Sequence, residues 1–143
     1  MSVQQISIFL ENKPGKLAQA TRILADNHIN LRALSIADTQ DFGILRLITA
    51  EPTRTLNVLK AADFTTTVTD VLAVAIPDEP GSLAHILELL AEAEVSVEYT
   101  YAYTSNKAGT AYMIFRVDDN KKAATVLSAA DITVVYQNEI FRD

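Results

Sequence analysis

The stretch Ser7–Asn30, SIFLENKPGKLAQATRILADNHIN, contains a β-prone segment, a proline-glycine pair and an amphipathic segment in direct succession. Apolar residues alternate with other residues up to Leu10, which predicts a strand. Pro14-Gly15 stops that strand, and the restricted φ of proline suits the first turn of a helix. Beyond the pair, alanine, isoleucine and leucine recur at helical spacing. We therefore predict a strand, a tight loop, and a helix that opens at the Pro-Gly pair.

The same pattern occurs a second time in Ala73–Ser96, AVAIPDEPGSLAHILELLAEAEVS. The correspondences include Pro14 with Pro80, Gly15 with Gly81, Leu17 with Leu83, Leu24 with Leu90 and Gly43 with Gly109. The alignment needs no gap from Ile6/Leu72 to Ile48/Ile114, and a two-residue insertion near Asp118–Asn120 then shifts the register. After the insertion, VLKAADFTTTV (58–68) matches VLSAADITVVY (126–136). Two copies of a whole unit indicate a duplicated small domain.

Each copy predicts the element order β-α-β-β-α-β, an α+β unit of the split βαβ, or ferredoxin-like, kind. The first copy has predicted strands at Val3–Glu11, Ile29–Asp38, Ile44–Ala50 and Phe64–Asp70, helices after Pro14-Gly15 and at Pro52, and Gly43 in a turn. Two helices would cover one face of a four-stranded antiparallel sheet. No Gly/Ser linker separates the copies, so we predict domains at 1–69 and 70–143 whose sheets form a continuous or packed eight-stranded arrangement.

Composition narrows the classes of function. The chain has 143 residues and a net charge of −6, and an acidic balance disfavours nucleic-acid binding, which uses clustered Lys and Arg. The absence of cysteine excludes disulfides, thiolate metal sites and a cysteine nucleophile. Neither histidine, His28 or His85, has metal-ligand spacing, and no cofactor motif is present. No signal peptide or membrane span is expected, so we expect a cytoplasmic protein without membrane contact.

The repeated motif N/D-x-P-G-x-L-A, set between a strand and a helix, resembles that of the ACT domain, a small-molecule regulatory module of amino-acid metabolism. The resemblance covers nearly the whole chain and implies a stand-alone tandem ACT protein with no catalytic domain attached. It implies an amino-acid ligand bound at an interface between ACT units, against the loop between the first strand and first helix. It also implies a homodimer, while a further protein partner stays open.

Copy one is similar to the serine-binding ACT domain of phosphoglycerate dehydrogenase. That resemblance implies ligand contacts from Asn12 and Asn30, whose equivalents in copy two are Asp78 and Ser96. Leu10 stands where the relative has a histidine, as does Ile76 in copy two. The apolar residue favours a ligand with an apolar or aromatic side chain.

The chemistry of the loop residues agrees with an amino-acid ligand at this place. A helix N-terminus offers free N–H groups and partial positive charge to a carboxylate, and glycine lets a ligand approach the backbone. Asn12 can both donate and accept, whereas the carboxylate of Asp78 repels a carboxylate and attracts an ammonium. We therefore rank the first loop above the second as the carboxylate end of a site. The predicted ligand-binding residues are Leu10, Asn12, Lys13, Pro14, Gly15, Lys16, Leu17, Asn30, Asp78, Glu79, Pro80, Gly81, Ser82, Leu83 and Ser96.

Other interpretations stand beside these. Asn12 and Asp78 are also favoured helix-capping residues, and the Pro-Gly pairs are ordinary turn formers. The alternating tyrosines Tyr99, Tyr101 and Tyr103 share one strand face, where they either pack at an interface or line a pocket.

Three functional classes follow from the sequence. The favoured one is a regulatory module that senses a free amino acid. A structural adaptor whose loops serve only as caps is the first alternative, and a small ferredoxin-like hydrolase is the second. The sequence has no catalytic triad, G-x-S-x-G motif or glycine-rich phosphate loop, so we predict no catalytic residues.

Overall fold

The computed structural model describes residues 2–38, 42–103, 105 and 107–141. This part of the chain forms seven strands and four helices and divides into two compact units. The elements are β1 (Val3–Glu11), α1 (Lys16–Asp26), β2 (Leu31–Asp38), β3 (Phe42–Thr49), α2 (Pro52–Ala61), β4 (Thr65–Pro77), α3 (Ser82–Glu92), β5 (Val97–Tyr103), β6 (Thr110–Val117), α4 (Asn120–Ala129) and β7 (Thr133–Val135).

Each compact unit has the predicted β-α-β-β-α-β order. The first unit spans Gln4–Thr69 with strand order β2-β3-β1-β4, and the second contains Asp70–Phe141 with order β7-β4-β6-β5. Antiparallel pairing joins β1 with β3, β2 with β3, β4 with β6, β4 with β7 and β5 with β6. The predicted α+β class and antiparallel sheets are therefore confirmed.

One strand serves both copies, which is why seven strands stand where eight were expected. The sequence TTTVTDVLAVAIP forms the single strand β4, Thr65–Pro77. Its first half closes the first unit, and its second half opens the second unit. No glycine or proline lies between Thr69 and Val74, so the β conformation continues through the junction.

The strand registers show that the two-residue insertion of the second copy does not lie where the sequence alignment placed it. Leu10 pairs with Gly43, whereas its equivalent Ile76 pairs with Ala111. Gly43 therefore corresponds to Ala111 and lies inside β3, so its predicted place in a turn and its pairing with Gly109 are wrong. The extra residues of the second copy lie in the β5–β6 connection, before the strand rather than near Asp118–Asn120. Strand pairing carries information that a gapless sequence alignment does not contain.

The apolar stripe of each unit packs between its sheet and its helices. In the first unit Ile6, Ile8 and Leu10 of β1 form a cluster with Leu24 of α1 and Leu59 of α2. The second-unit cluster contains Leu72, Val74, Ile76, Ile86, Leu90, Phe115, Val117 and Leu127. Each Pro-Gly loop therefore follows a strand whose apolar side chains are buried in one of these cores and which has a paired strand on each side. No helix in the described part is long and apolar enough to span a bilayer.

Candidate functional site

The loop that follows β1 is built around a glycine in the left-handed conformation. Gly15 has φ 87° and is the N-cap of α1, while the equivalent Gly81 has φ 92° at the start of α3. A side chain at either position would meet no atom within 4 Å, so the backbone there faces open space. The positive φ is what requires glycine at these two positions.

The helices begin later than the sequence predicted. We placed the Pro-Gly pair in the first helical turn, but α1 begins at Lys16 and α3 at Ser82, one residue beyond each glycine. The prolines instead precede the cap, where the chain makes a turn closed by hydrogen bonds such as Lys16 N–H to the Lys13 carbonyl, at 3.3 Å. This turn, with its left-handed glycine, satisfies backbone hydrogen-bonding groups locally. The helix therefore begins after the glycine instead of at the proline.

The capping interpretation of Asn12 and Asp78 is wrong. Neither α1 nor α3 has a side-chain hydrogen bond to its first turn. Within the described residues, the amides of Leu17 and Ala18 at the start of α1 have no hydrogen-bond acceptor. These N–H groups at a helix N-terminus are suited to an anion.

A surface groove of about 440 Å³ lies beside this loop in the first unit. It lies between the end of β1, the first turns of α1 and the turn that joins α2 to β4. Its lining residues are Phe9, Leu10, Glu11, Lys16, Gln19, Ala62, Asp63, Phe64 and Thr65. The lining thus combines carboxylates, an ammonium and an amide with apolar residues, and such a groove can hold both charges of a zwitterion.

The second unit has the corresponding groove with different chemistry. Its volume is about 360 Å³, and its lining residues are Ile76, Pro77, Glu79, Pro80, Gly81, Ser82, His85, Ile86 and Ile132. Proline replaces Glu11, serine replaces Lys16, and histidine replaces Gln19 at the equivalent positions. The second groove is therefore the more apolar of the two, and its lining contains one carboxylate, that of Glu79.

An ion pair stands at the entrance to the first loop. Lys13 Nζ lies 2.8 Å from Glu11 Oε2, and both side chains are more than 60% exposed. The hydrogen bond from Lys13, then its charge and that of Lys16, hold the pKa of the Glu11 carboxyl below its usual value. The same hydrogen bond and the charge of Glu11 raise the pKa of Lys13. Both groups are therefore charged at neutral pH, and a ligand ammonium would compete with Lys13 for Glu11.

The structure does not bring Asn12 and Asn30 together within one unit. Glu11, just before Asn12, pairs with Phe42, whereas Leu31, just after Asn30, pairs with Thr49. Those partners are seven positions apart on β3, about 23 Å at roughly 3.3 Å per residue. The two asparagines are exposed at opposite ends of the unit, and neither lines the groove.

The second copy places Asp78 and Ser96 at opposite ends in the same way, and both have structural contacts. The Asp78 amide donates to the Gly109 carbonyl at 3.0 Å, which ties the second loop to the β5–β6 connection. The Ser96 amide donates to Asp118 Oδ1 at 3.0 Å, and the Asp118 amide donates back to the Ser96 carbonyl at 3.2 Å. The second loop is thus held through the backbone of Asp78, whereas Ser96 is held by Asp118 at the other end of the unit.

Of the predicted residues, Leu10 and Lys16 line the first groove, and Glu79, Pro80, Gly81 and Ser82 line the second. The sequence prediction missed Glu11 and Gln19 in the first groove and the far wall of each groove. That wall includes Asp63, Phe64 and Thr65 in the first unit and Ile132 in the second. The sequence does contain a signal for this wall, because the repeated segments AADF and AADI lie at the matching helix-to-strand turns of the two copies. Asp63 and Asp131 have left-handed φ values of 65° and 60°, so the aspartates mark helix ends that only the fold brings to the grooves.

The structure also locates the tyrosines of β5 and His85. Tyr99, Tyr101 and Tyr103 do share one face of β5, since they pair with Arg116, Ile114 and Tyr112 of β6. The Tyr99 and Tyr101 rings stack at 6.4 Å, and Tyr103 lies 5.1 Å from Tyr112. His85 is exposed on α3 at the rim of the second groove.

Two small α+β units, each with a Pro-Gly loop and an adjoining groove, form a tandem of ferredoxin-like domains. The chain belongs to the family of ACT domain pairs, which matches residues 1–142. The resemblance read from the repeated motif is therefore confirmed. The curated proteins contain no match to this sequence.

Solved structures agree with the family assignment. A protein from Bacteroides thetaiotaomicron is 36% identical, with a TM-score of 0.93 over 100% of this chain and 98% of that one. The regulatory subunit of aspartate kinase from Thermus thermophilus, in a ligand-free form, has a TM-score of 0.68 at 16% identity over 91% of this chain and 93% of its own. The regulatory subunit from Thermus flavus has a TM-score of 0.64 at 16% identity, over 92% and 94%. The likeness to the two kinase subunits is one of fold.

Proposed function

We propose that this protein is a non-catalytic regulatory module that binds a free amino acid at the β1–α1 loop and groove of its first unit. The observation that carries the proposal is that the Leu17 and Ala18 amides, which have no acceptor among the described residues, lie next to a groove with both signs of charge. Membership of the ACT domain pairs and the fold shared with regulatory subunits of aspartate kinase support it. The regulated partner is to be sought among enzymes or regulators of amino-acid metabolism.

The charges of the groove and the neighbouring loop support one orientation of the ligand. The carboxylate would accept hydrogen bonds from the Leu17 and Ala18 amides and from the side chain of Asn12. The ammonium would lie toward the carboxylates of Glu11 and Asp63, which line the same groove. Leu10 and Phe64 would contact the ligand side chain, so an apolar or aromatic amino acid is favoured.

A contribution from Asn30 requires a second unit. Because Asn12 and Asn30 lie about 23 Å apart along the sheet of one unit, a single amino acid cannot touch both. A ligand that contacts both therefore lies where two units meet, with Asn30 supplied by a different unit. Such a site would couple ligand binding to assembly, because the ligand stabilises the arrangement that completes it.

A thermal-shift screen of the common amino acids tests the proposal. A ligand at one hundred times its Kd stabilises the native state by about 2.7 kcal/mol, which raises Tm by roughly 5–10 °C. The controls are the amine and the carboxylic acid of the best ligand, each lacking one of the two charged groups. A response to neither amino acids nor related metabolites would contradict the proposal and favour the structural adaptor.

A further inference from the structure

A surface groove of the second unit lies at the end opposite its Pro-Gly loop. Strand β6 begins at Thr110, which pairs with Pro77 beside that loop, and α4 follows the other end of β6. The groove lies against the start of α4, where Leu72 of β4 and Val134 of β7 contribute apolar lining. Its volume is about 360 Å³, and all of its lining residues belong to the second unit. We call it the α4 groove.

The charged lining of the α4 groove differs from that of the two loop grooves. Lys121 contributes an ammonium and Asn120 an amide, whereas no aspartate or glutamate of the described chain lines it. The carboxylates that precede the helix are engaged, since Asp118 and Asp119 each accept a hydrogen bond from a backbone amide at 3.0 Å. A groove with an ammonium and no carboxylate favours an anion.

Asn120 contributes a buried hydrogen-bond acceptor to this part of the unit. Its Nδ2 donates to the Asp70 carbonyl at 3.0 Å, and because a carbonyl can only accept, the nitrogen must be the atom that faces it. The remaining amide atom, Oδ1, is buried and has no hydrogen-bond donor among the described residues. A buried acceptor without a donor is unfavourable in free energy, so a bound molecule that supplies a donor is favoured there.

The first unit shows that the fold does not require these residues. Its helix α2 has the same length as α4 and carries different side chains at the positions that line the groove. The equivalent pairs are Pro52 with Asn120, Thr53 with Lys121 and Leu56 with Ala124. The amide, the ammonium and the small residue that makes room for the groove therefore need an explanation other than the architecture.

We propose that the α4 groove binds a small 2-hydroxy carboxylate with an apolar side chain. The carboxylate pairs with the Lys121 ammonium, and the hydroxyl donates to Asn120 Oδ1. The side chain of the ligand contacts Leu72, Ala124 and Val134, which line the groove. The groove volume lies near the lower end of the range for ligand pockets, roughly 300–1,000 Å³, which suits a small metabolite.

The lining favours a hydroxyl group over the alternatives at the 2-position of such a ligand. An ammonium would leave water without a carboxylate partner, and a keto group would place a second acceptor beside Oδ1. The groove therefore disfavours the amino acids proposed for the first unit. This site goes beyond the proposed function and does not depend on it, because the two grooves belong to different units.

Heteronuclear NMR of the isotope-labelled full chain locates the site. The probes are 2-hydroxy-4-methylpentanoate and 3-phenyllactate, and 4-methylpentanoate is the matched analogue of the first probe without the hydroxyl. We expect the hydroxy acids to shift the amide signals at the start of α4 with a Kd of about 1 mM or lower. The analogue should bind there at least about fivefold more weakly, because Oδ1 then stays without a donor.

Two results of this titration would overturn the proposal. One is the absence of any shift in α4 with either probe at about 10 mM, and the other is equal affinity for 4-methylpentanoate. Leucine, titrated in the same way, reports on the first unit through the amides of Leu17 and Ala18. Failure of the α4 groove and failure of the proposed amino-acid site are therefore seen separately.

Variants that carry first-unit residues test the contacts. Lys121→Thr removes the ammonium, and Ala124→Leu fills the groove, and we expect each to raise the Kd for 2-hydroxy-4-methylpentanoate by about tenfold or more. Lys122→Thr removes a neighbouring ammonium outside the lining and should leave this Kd within about twofold, as should Asn12→Asp in the first loop. The same spectra show whether each variant keeps the fold. Undiminished binding by folded Lys121→Thr or by folded Ala124→Leu would overturn the proposal.

Discussion

At the scale of single residues, the two copies differ most clearly at Asn12 and Asp78. Their loops have nearly the same backbone, since Gly15 and Gly81 have φ values of 87° and 92°. Both side chains are exposed, and that of Asn12 makes no hydrogen bond within the described residues. At this position the two loops therefore differ in charge.

The substitution Asn12→Asp places the second copy's residue in the first loop. We expect the Kd for the amino acid to rise at least about tenfold, because a hydrogen bond to a charged group is worth roughly 1.5–3 kcal/mol and a carboxylate repels the ligand's own carboxylate. Isothermal titration calorimetry measures the effect. The matched control Asp78→Asn should leave the Kd within about twofold, and an unchanged Kd for Asn12→Asp would remove Asn12 from the site.

At the scale of secondary-structure elements, all four described helices end in the same way. The chain turns left-handed at His28, Asp63, Glu94 and Asp131, with φ values between 56° and 65°. After α3, the Val95 amide donates to the Leu90 carbonyl at 2.9 Å and the Glu94 amide to the Ala91 carbonyl at 3.0 Å. This pair of hydrogen bonds is the Schellman motif, which usually has glycine at the left-handed position. The helices therefore end with non-glycine residues in the left-handed conformation, which is unfavourable in free energy for a residue with a side chain.

Glu94→Gly should stabilise the protein. The left-handed conformation costs a residue with a side chain about 1–2 kcal/mol, and the greater freedom of glycine in the unfolded chain offsets part of the gain. We expect the free energy of unfolding to rise by about 0.5–1 kcal/mol, measured by urea denaturation. Ala93→Gly is the control, because Ala93 has φ −86° and gains nothing from glycine. It should destabilise, and a destabilised Glu94→Gly would show that the side chain has a compensating role.

At the scale of the whole molecule, duplication has kept the architecture and changed the surfaces. The first groove contains Glu11, Lys16 and Asp63, whereas the second has Pro77 and Ser82 at the first two of these positions. The cores have diverged too. In the first unit the buried hydroxyls of Thr49 and Thr55 lie 2.8 Å apart, where Val117 and Ala123 pack in the second.

This divergence predicts one class of strong site per chain. Only the first groove combines a carboxylate from β1 with an ammonium at the start of the helix, so a zwitterion should fill one site per chain of 143 residues. Calorimetric titration with the best ligand from the screen should give a stoichiometry near one. Two equal and independent sites per chain would contradict the assignment.

Much of the architecture could be predicted from local pattern alone. Alternation predicted β1 at Val3–Glu11, its observed bounds, and Pro52 is the first residue of α2. Predictions failed where the deciding contact was non-local. Gly43 looked like a turn residue, but pairing with Leu10 places it in β3, and Asn12 looked like a cap until the Gly15 turn separated it from the helix.

The sequence by itself determined the repeat, the order of strands and helices, and the two Pro-Gly loops. These features depend on φ preferences and on side-chain periodicity, which are properties of neighbouring residues. Only the tertiary structure decided which residues share a groove, because Glu11, Gln19 and Asp63 come from three separate elements. It also separated Asn12 from Asn30 and left Leu34 and Ile36 exposed, since the pairing of distant strands decides which residues meet and which face solvent.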